Sequence, residues 1–186
     1  ICIHKHNTMI ENYLLKRNIS IETQKEFGVY GDDDNRVVIP VHDENGKFLF
    51  NKYRRSPLVE TGSKYTYDYG GKVTLYGWHK AKDSTTILLC EGELEVLVAH
   101  TKNITAVTST GGAMSFQKEW VELFKDKELI VVFDNDKSGG DGMVKVLELI
   151  PTAKILFIPD IPNVKDCCDY IGIGGDLHEL LKTARG

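Results

Sequence analysis

The 186-residue sequence contains no long apolar run and no recognisable signal peptide. A helix that crosses a bilayer needs about 20 consecutive, mostly apolar residues, and no segment of this sequence approaches that length. We therefore expect a cytoplasmic protein without a membrane anchor. Because the sequence begins at Ile1 and not at a methionine, we also expect it to be a piece of a longer protein.

Cysteine is scarce and never occurs as a CxxC pair; the residues are Cys2, Cys90, Cys167 and Cys168. Without such pairs the sequence does not encode a zinc knuckle, and we expect all four thiols to be reduced. Cys2, His4 and His6 alternate near the start of the chain. They could form one edge of a metal site, but we favour a frayed terminal strand.

Positive charge is not in excess, since the formal net charge is −4 at pH 7. Nucleic-acid-binding domains usually carry a basic surface, so binding of this kind would need a local basic patch. The sequence has no internal repeat and no low-complexity linker. Its length suits one large domain or two small ones.

An apolar run at residues 130–133 ends in two acids, Asp134 and Asp136, and a glycine-rich turn follows. At the carboxyl end of a strand, both acids could lean into the crevice where open α/β sheets bind ligands. Their mutual repulsion would be relieved by a divalent cation, and an all-oxygen site suits Mg²⁺ or Mn²⁺. The alternative is a solvated strand end, because Asp, Asn and Gly are ordinary turn residues.

A second apolar run, residues 87–90, also ends in acids, at Glu91 and Glu93. A helical pattern follows each of the two runs. Two strands of one parallel sheet would bring Glu91, Asp134 and Asp136 to the same edge. The sequence thus predicts one carboxylate site built from both segments.

Strands and helices alternate through the second half of the sequence. The patterns predict strands over residues 86–90, 104–108, 129–133 and 153–158, and helices over 93–101, 115–124, 142–149 and 176–183. Such alternation indicates a four-stranded parallel sheet with flanking helices. Gly111 and Gly112 follow the second strand, where their amides could approach phosphate oxygens, or they could belong to a plain loop.

The first half of the sequence predicts a mixed α+β unit with a basic hairpin. Helical patterns over residues 8–27 precede two strands joined by an Asn-Gly turn. Lys52 and Arg54 share one face of the second strand and Arg55 lies on the other. These residues could contact phosphates or could guard a solvent-facing sheet edge. Lys64 lies among tyrosines that could stack on bases or simply pack.

The two acidic segments resemble the TOPRIM domain. This domain is shared by bacterial-type primases, topoisomerases of types IA and II, OLD-type nucleases and RecR-type repair proteins. Residues 90–95, Cys-Glu-Gly-Glu-Leu-Glu, are most similar to phage primase-helicases, although the family often has Asp where Glu95 stands. The basic hairpin before the TOPRIM pattern resembles the amino-terminal part of a primase polymerase core. The resemblance covers residues 13–170 and implies units of 1–82 and 83–186.

The resemblance implies a DNA primase that makes short RNA primers on single-stranded DNA by two-metal nucleotidyl transfer. Glu91, Asp134 and Asp136 would be catalytic and would hold Mg²⁺ or Mn²⁺, with Glu91 alternatively a general base. Asp166 would be a further metal ligand, because the segment around it is similar to a third acidic motif of primases. Nucleotide and template would contact the basic and glycine residues named above, which are Lys52, Arg54, Arg55, Lys64, Gly111 and Gly112.

The implied partners are single-stranded DNA, nucleoside triphosphates, a replicative helicase, fused or separate, and a zinc-binding domain outside these residues. Two other functions stay open on the sequence alone. One is a metal-dependent TOPRIM nuclease. The other is a non-catalytic DNA-binding module beside a helicase.

Overall fold

Two β-sheets, one after the other along the chain, organise the protein. The structure is a computed structural model that describes residues 7–186. The interpretation of Cys2, His4 and His6 concerns residues outside that range. Within it, no helix is both long enough and apolar enough to cross a membrane.

The first sheet is antiparallel and has the strand order β1-β2-β3-β4. Two helices precede it, and their bounds and those of the strands are α1 Thr8–Lys16, α2 Ile21–Phe27, β1 Tyr30–Gly31, β2 Val37–His42, β3 Phe48–Arg54 and β4 Tyr65–Tyr67. The predicted hairpin joins β2 to β3. Its turn is closed by Asp43, whose carboxylate accepts hydrogen bonds from the amides of Asn45 and Lys47, and Gly46 has the positive φ that the turn requires.

The second sheet has five strands in the order β5-β7-β6-β8-β9. In chain order its elements are β5 Leu75–Tyr76, α3 Trp78–Ala81, β6 Thr86–Cys90, α4 Glu93–Thr101, β7 Ala106–Ser109, β8 Glu128–Val132, α5 Lys137–Leu149 and β9 Lys154–Ile155. Helices α6 Cys167–Gly172 and α7 Leu177–Leu181 complete the chain. Strands β6 to β9 pair with one another in parallel, as the crossover connections require.

The predicted α/β fold is confirmed, with local differences. The sheet has a fifth strand, β5, which pairs antiparallel with β7 and is too short to show a periodic pattern. The helix expected over 115–124 is instead two 3₁₀ segments, Ala113–Ser115 and Lys118–Phe124. Helix α5 begins at Lys137 and not near residue 142, because Asp136 caps it there. Helix α6 was not predicted at all.

The core lies on both faces of the second sheet. Along β6, Leu88 and Cys90 face one hydrophobic cluster, and Ile87 and Leu89 face the other. A strand buried on both faces is typical of a parallel sheet covered by helices. The first cluster also contains Ile39 and other apolar residues of the first sheet, so the two sheets share a core. The division of the chain after residue 82 stays a prediction.

Candidate metal and nucleotide site

Three carboxylates from three separate segments meet at the carboxyl edge of the second sheet. They are Glu95 on α4, Asp134 after β8 and Asp166 at the start of α6, and one oxygen of each lies within 4.8 Å of the others. We call these residues the acid cluster. The sequence predicted two of its members, Asp134 and Asp166. It noted Glu95 only as a departure from the family pattern, although that position in the TOPRIM motif was the available signal.

Glu91 lies beside the acid cluster at the end of β6. Its Oε2 accepts a hydrogen bond of 3.1 Å from the backbone amide of Asp134. Partial burial raises the pKa of the Glu91 carboxyl, and the charges of Asp136 and Asp166 add to that effect, while the amide and Lys64 oppose it. The structure thus brings Glu91 and Asp134 together as the sequence predicted.

The Asp136 side chain has a different structural role from that of Asp134. Strand β8 ends at Val132, so the two aspartates lie on a turn and not on a continuous strand. The Asp136 side chain caps α5 by accepting a 2.9 Å hydrogen bond from the amide of Gly139, and it is exposed. Its charge still helps to raise the pKa of Asp134. A role for Asp136 as a metal ligand stays a prediction.

The electrostatics of the acid cluster fit a bound cation. Burial raises the pKa of Asp134 to about 7, and the neighbouring charges of Glu91, Asp166 and Asp136 contribute. Burial likewise raises the pKa of Glu95 well above its usual range, with repulsion from Asp134 and Asp166. Asp134 Oδ1 is buried without a hydrogen-bond partner among the described residues. An unpaired buried oxygen within a set of carboxylates suits a hard divalent ion.

Basic side chains line the same cleft, which has a volume of about 180 Å³. Arg54 donates hydrogen bonds of 3.1 Å to the hydroxyls of Tyr13 and Tyr65. Lys64 is exposed and has no ion-pair partner among residues 7–186, but its charge lowers the pKa values of Glu91 and Asp134. Two predicted basic residues therefore lie near the acids.

Arg17 is a basic residue of the cleft that sequence reasoning missed. It follows α1, and its guanidinium lies 3.9 Å from the Asp166 carboxylate. Its buried Nε has no hydrogen-bond partner among the described residues. Nothing in the local helical pattern distinguishes Arg17 from Lys16 before it. Only tertiary packing brings it to the cleft, because α1 contacts β1 and contributes Ile10 and Leu14 to the first hydrophobic cluster.

Lys52 is buried and paired. Its Nζ lies 2.6 Å from Glu93 Oε1 and donates a 2.7 Å hydrogen bond to the carbonyl oxygen of Thr110. It also lies 4.3 Å from the ring centroid of Tyr65. The alternative of a solvent-facing edge is therefore wrong for Lys52. Whether Lys52 contacts nucleotide stays a prediction.

The other predicted binding residues divide between two clefts. Gly111 and Gly112 line the cleft of the acid cluster. Arg55 donates to the carbonyl oxygen of Gly62 and lines a second cleft of about 300 Å³. Arg54 and Lys64 line both clefts, so the two are adjacent. Arg55 is therefore the one predicted binding residue that does not line the cleft of the acid cluster.

Comparison with known proteins identifies the fold around this cleft. Residues 88–171 match the family model of Toprim-like domains. This segment is thus similar to Toprim-like domains. The chain is 24% identical over 163 residues to the DNA primase of Borreliella burgdorferi. The aligned region covers 78% of this chain and 31% of that protein. The chain thus spans under a third of the length of this relative.

Solved structures show the same fold. The zinc-binding and RNA polymerase domains of Aquifex aeolicus primase superimpose with a TM-score of 0.77 at 18% identity, covering 96% of this chain and 56% of that one. The primase fragment of the bacteriophage T7 primase-helicase superimposes with a TM-score of 0.71 at 22% identity, covering 96% and 73%. The predicted resemblance to TOPRIM-containing primases is confirmed.

Proposed function

We propose that this chain is the catalytic core of a DNA primase and joins ribonucleotides into short primers on a single-stranded DNA template. The observation that carries the proposal is the acid cluster of Glu95, Asp134 and Asp166, which lines one cleft together with Arg54 and Lys64 in a chain with a primase fold. Nucleotidyl transfer needs carboxylates that bind divalent cations and basic residues that bind phosphates, and this cleft offers both.

Divalent ions would be held by the acid cluster, with Glu91 and Asp136 as further candidates. Bound Mg²⁺ or Mn²⁺ would neutralise charge on the reacting phosphates and would lower the pKa of the attacking 3′-hydroxyl. Glu91 is already fixed through Oε2 by the Asp134 amide, and its second oxygen is the one we assign to proton acceptance from that hydroxyl. The raised pKa of Glu91 favours such a role.

The basic residues would bind and orient the nucleotide and the template. Neither Lys64 nor Arg54 forms an ion pair with a carboxylate among residues 7–186. The Arg54 guanidinium donates hydrogen bonds to two tyrosine hydroxyls, which fix its position. The Gly111 amide would approach a phosphate oxygen, whereas the Gly112 amide already donates to the carbonyl of Ser109. The second cleft, which Arg55 lines, would receive the template strand.

The partners follow from the proposed activity. Single-stranded DNA and nucleoside triphosphates would be the ligands of the two clefts. The similar T7 protein is a primase-helicase and the similar Aquifex structure includes a zinc-binding domain. We propose a helicase partner, fused or separate, and a zinc-binding domain for template recognition elsewhere in the full protein. A primase of this kind would act in the cytoplasm.

A primer-synthesis assay on the full-length protein tests the proposal. Mixed single-stranded templates are incubated with Mg²⁺ or Mn²⁺ and labelled ribo- or deoxynucleotides. We expect short RNA products that are lost in Asp134→Asn and kept in Asp141→Asn, a neutralisation of an exposed acid on α5. Cutting of the template without synthesis would instead indicate a nuclease. Template binding with neither reaction would indicate a non-catalytic module, and either result would overturn the proposal.

A further inference from the structure

The Lys52–Glu93 pair differs from the other ion pairs that the structure describes. Its side chains are only 5% and 1% exposed, whereas every other described pair has at least 19% exposure on each side. Lys52 belongs to β3 of the first sheet, and Glu93 begins α4 of the second. The pair therefore joins the sheet that carries Arg54 to the helix that carries Glu95.

The same ammonium also holds the glycine loop that follows β7. The carbonyl oxygen of Thr110 accepts from Lys52 Nζ at 2.7 Å and from the hydroxyl of Tyr67 at 2.8 Å. The backbone of Thr110 is anchored on its other side by Thr74, whose carbonyl accepts from the Thr110 amide at 2.9 Å. Lys52 is thus the central donor of a network that spans β3, β4, α4 and the loop at residues 110–112.

The contacts of Lys52 leave it little freedom to bind a phosphate. Its ammonium has three protons, two of which are used by Glu93 and Thr110, and the tyrosine rings of β4 lie beside it. Glu93 Oε2 is buried and has no hydrogen-bond partner among the described residues. Lys52 is the main positive charge that lowers the pKa of Glu93, and Arg54 contributes less. Drawing the ammonium toward a phosphate would leave a buried carboxylate unpaired, which is strongly unfavourable.

We propose that Lys52 and Glu93 are positioning residues that hold the loop at residues 110–112 at a fixed distance from the acid cluster. The proposal rests on the proposed function and assigns Lys52 a role different from direct contact with nucleotide. Gly111 and Gly112 of this loop line the cleft, as does Glu95, which lies half a turn beyond Glu93 on α4. Loss of the Lys52–Glu93 pair would change the width of the cleft without removing a ligand-binding group.

Steady-state kinetics of the full-length protein distinguish a Lys52 that positions the loop from a Lys52 that contacts the nucleotide phosphates. The variants are Glu93→Gln, Lys52→Met and the double variant, with Arg54→Met as the control. If the pair positions the loop, Glu93→Gln lowers kcat roughly tenfold while KM for nucleotide stays within about twofold, although every basic residue of the cleft is intact. Lys52→Met lowers kcat further, by about 10²-fold, because small misplacements are costly and Glu93 loses its counter-charge.

The double variant gives the decisive comparison. Two residues that act as one unit are not additive, so the double variant should resemble Glu93→Gln and be more active than Lys52→Met. Direct contact with phosphate predicts the reverse pattern, in which Lys52→Met and the double variant raise KM alike, as Arg54→Met does, and Glu93→Gln leaves kcat unchanged. That pattern would overturn the positioning role.

Hydrogen exchange at the loop tests whether the Lys52–Glu93 pair orders it, and this test does not depend on primer synthesis. The Gly112 amide donates a 3.0 Å hydrogen bond to the carbonyl of Ser109, so its exchange rate reports on the order of the loop. We expect faster exchange at residues 110–112 in Lys52→Met and Glu93→Gln and no change in Arg54→Met. Unchanged exchange in both pair variants would refute the positioning role even in an active primase. Faster exchange in a protein without primer synthesis would refute the function alone.

Discussion

The backbone amide of Asp134 donates a hydrogen bond to the carboxylate of Glu91, across two neighbouring parallel strands. Strands β6 and β8 pair in register up to Cys90 and Val132, so the residues that follow them emerge side by side. One carboxylate oxygen of Glu91 is thereby fixed by the protein itself. Its other oxygen is left for chemistry in the cleft.

Replacement of Glu91 by Gln should separate catalysis from folding. Glutamine keeps the shape and can accept the same hydrogen bond from Asp134, so the melting temperature should change little. Loss of a general base costs about 10²–10⁴-fold in rate. Primer synthesis by the full-length variant should fall in that range while template binding persists. A variant as active as the parent would show that the assignment of Glu91 is wrong.

Glu95 should contribute more to cation binding than Asp136 does. Glu95 lies within the acid cluster, whereas the Asp136 side chain caps α5. We expect Glu95→Gln to weaken Mn²⁺ binding by on the order of tenfold or more in a calorimetric titration. Asp136→Asn should weaken it less, because Asn caps a helix about as well as Asp. A larger loss in Asp136→Asn would favour the pair of Asp134 and Asp136 that the sequence predicts.

The stability of the metal-free protein should fall as the pH rises from 4 to 7. The pKa of Asp134 is raised to about 7 in the folded state, against about 3.9 for an unfolded Asp. Between these values the unfolded state releases a proton that the folded state keeps, so ionisation favours unfolding. In EDTA, the melting temperature of the parent should therefore decline relative to that of Asp134→Asn, and the difference should be complete above pH 7.

Saturating Mg²⁺ provides the control for that measurement. A bound cation favours the ionised carboxylates, so it should remove most of the decline in the parent and have little effect on Asp134→Asn. Parallel curves for the two proteins in EDTA would contradict the raised pKa of Asp134.

Removal of Arg54 and Lys64 should reduce the salt dependence of single-strand binding. Each phosphate contact contributes about 0.7 to the slope of log affinity against log salt for single strands, so the Arg54→Met/Lys64→Met variant should lower the slope by about 1.4. Lys52 is left unchanged because it is buried and paired. The control is Lys125→Met/Lys137→Met, which removes two exposed lysines outside both clefts. Equal slopes for parent and Arg54→Met/Lys64→Met would place these residues outside the binding surface.

Two adjacent glycines of α5 should respond oppositely to Ala. A Cβ at Gly139 would overlap the carbonyl oxygen of Asp134, whereas a Cβ at Gly140 would meet nothing within 4 Å. Gly139→Ala should cost about 1–3 kcal/mol in unfolding free energy and weaken Mn²⁺ binding, because the Asp134 turn must shift. Gly140→Ala should stabilise by up to about 1 kcal/mol, since Ala favours helix over Gly. Denaturant titrations of both variants measure the difference.

Much of the second half of the fold could be predicted because its signals are local. Helix α4 spans Glu93–Thr101 and β6 spans Thr86–Cys90, as the apolar patterns indicated. Prediction was poorer where other forces decide. The glycines after Asp136 indicated a turn, but the helix-capping hydrogen bond from the Gly139 amide starts α5 before them. The residues at 115–124 form 3₁₀ segments, which a pattern of apolar residues does not distinguish from an α-helix.

The candidate site, like the fold, could be predicted from the sequence only in part. Acids at the carboxyl ends of parallel strands could be predicted from sequence, because strand ends in one sheet share an edge; Glu91 and Asp134 are such residues. The burial of Lys52 could not be predicted. The alternation of side chains along β3 indicates which residues share a face of the strand, but it does not indicate what packs against that face. Arg17 reaches the cleft through the packing of α1 and carries no local signal for it. For Glu95 the signal was its position in the TOPRIM motif, but the approach of its carboxylate to Asp134 and Asp166 depends on tertiary structure.

The sequence by itself determined the alternation of the longer strands and helices, the acids that follow β6 and β8, and the basic character of the hairpin strand. These properties follow from residue type and short-range periodicity, which every local segment carries with it. The tertiary structure alone decided which acids approach within 4.8 Å, that Lys52 is paired with Glu93, and that Arg17 lies beside Asp166. Such contacts join residues up to 149 positions apart, as Arg17 and Asp166 are, and only the packing of the shared core sets distances of that kind.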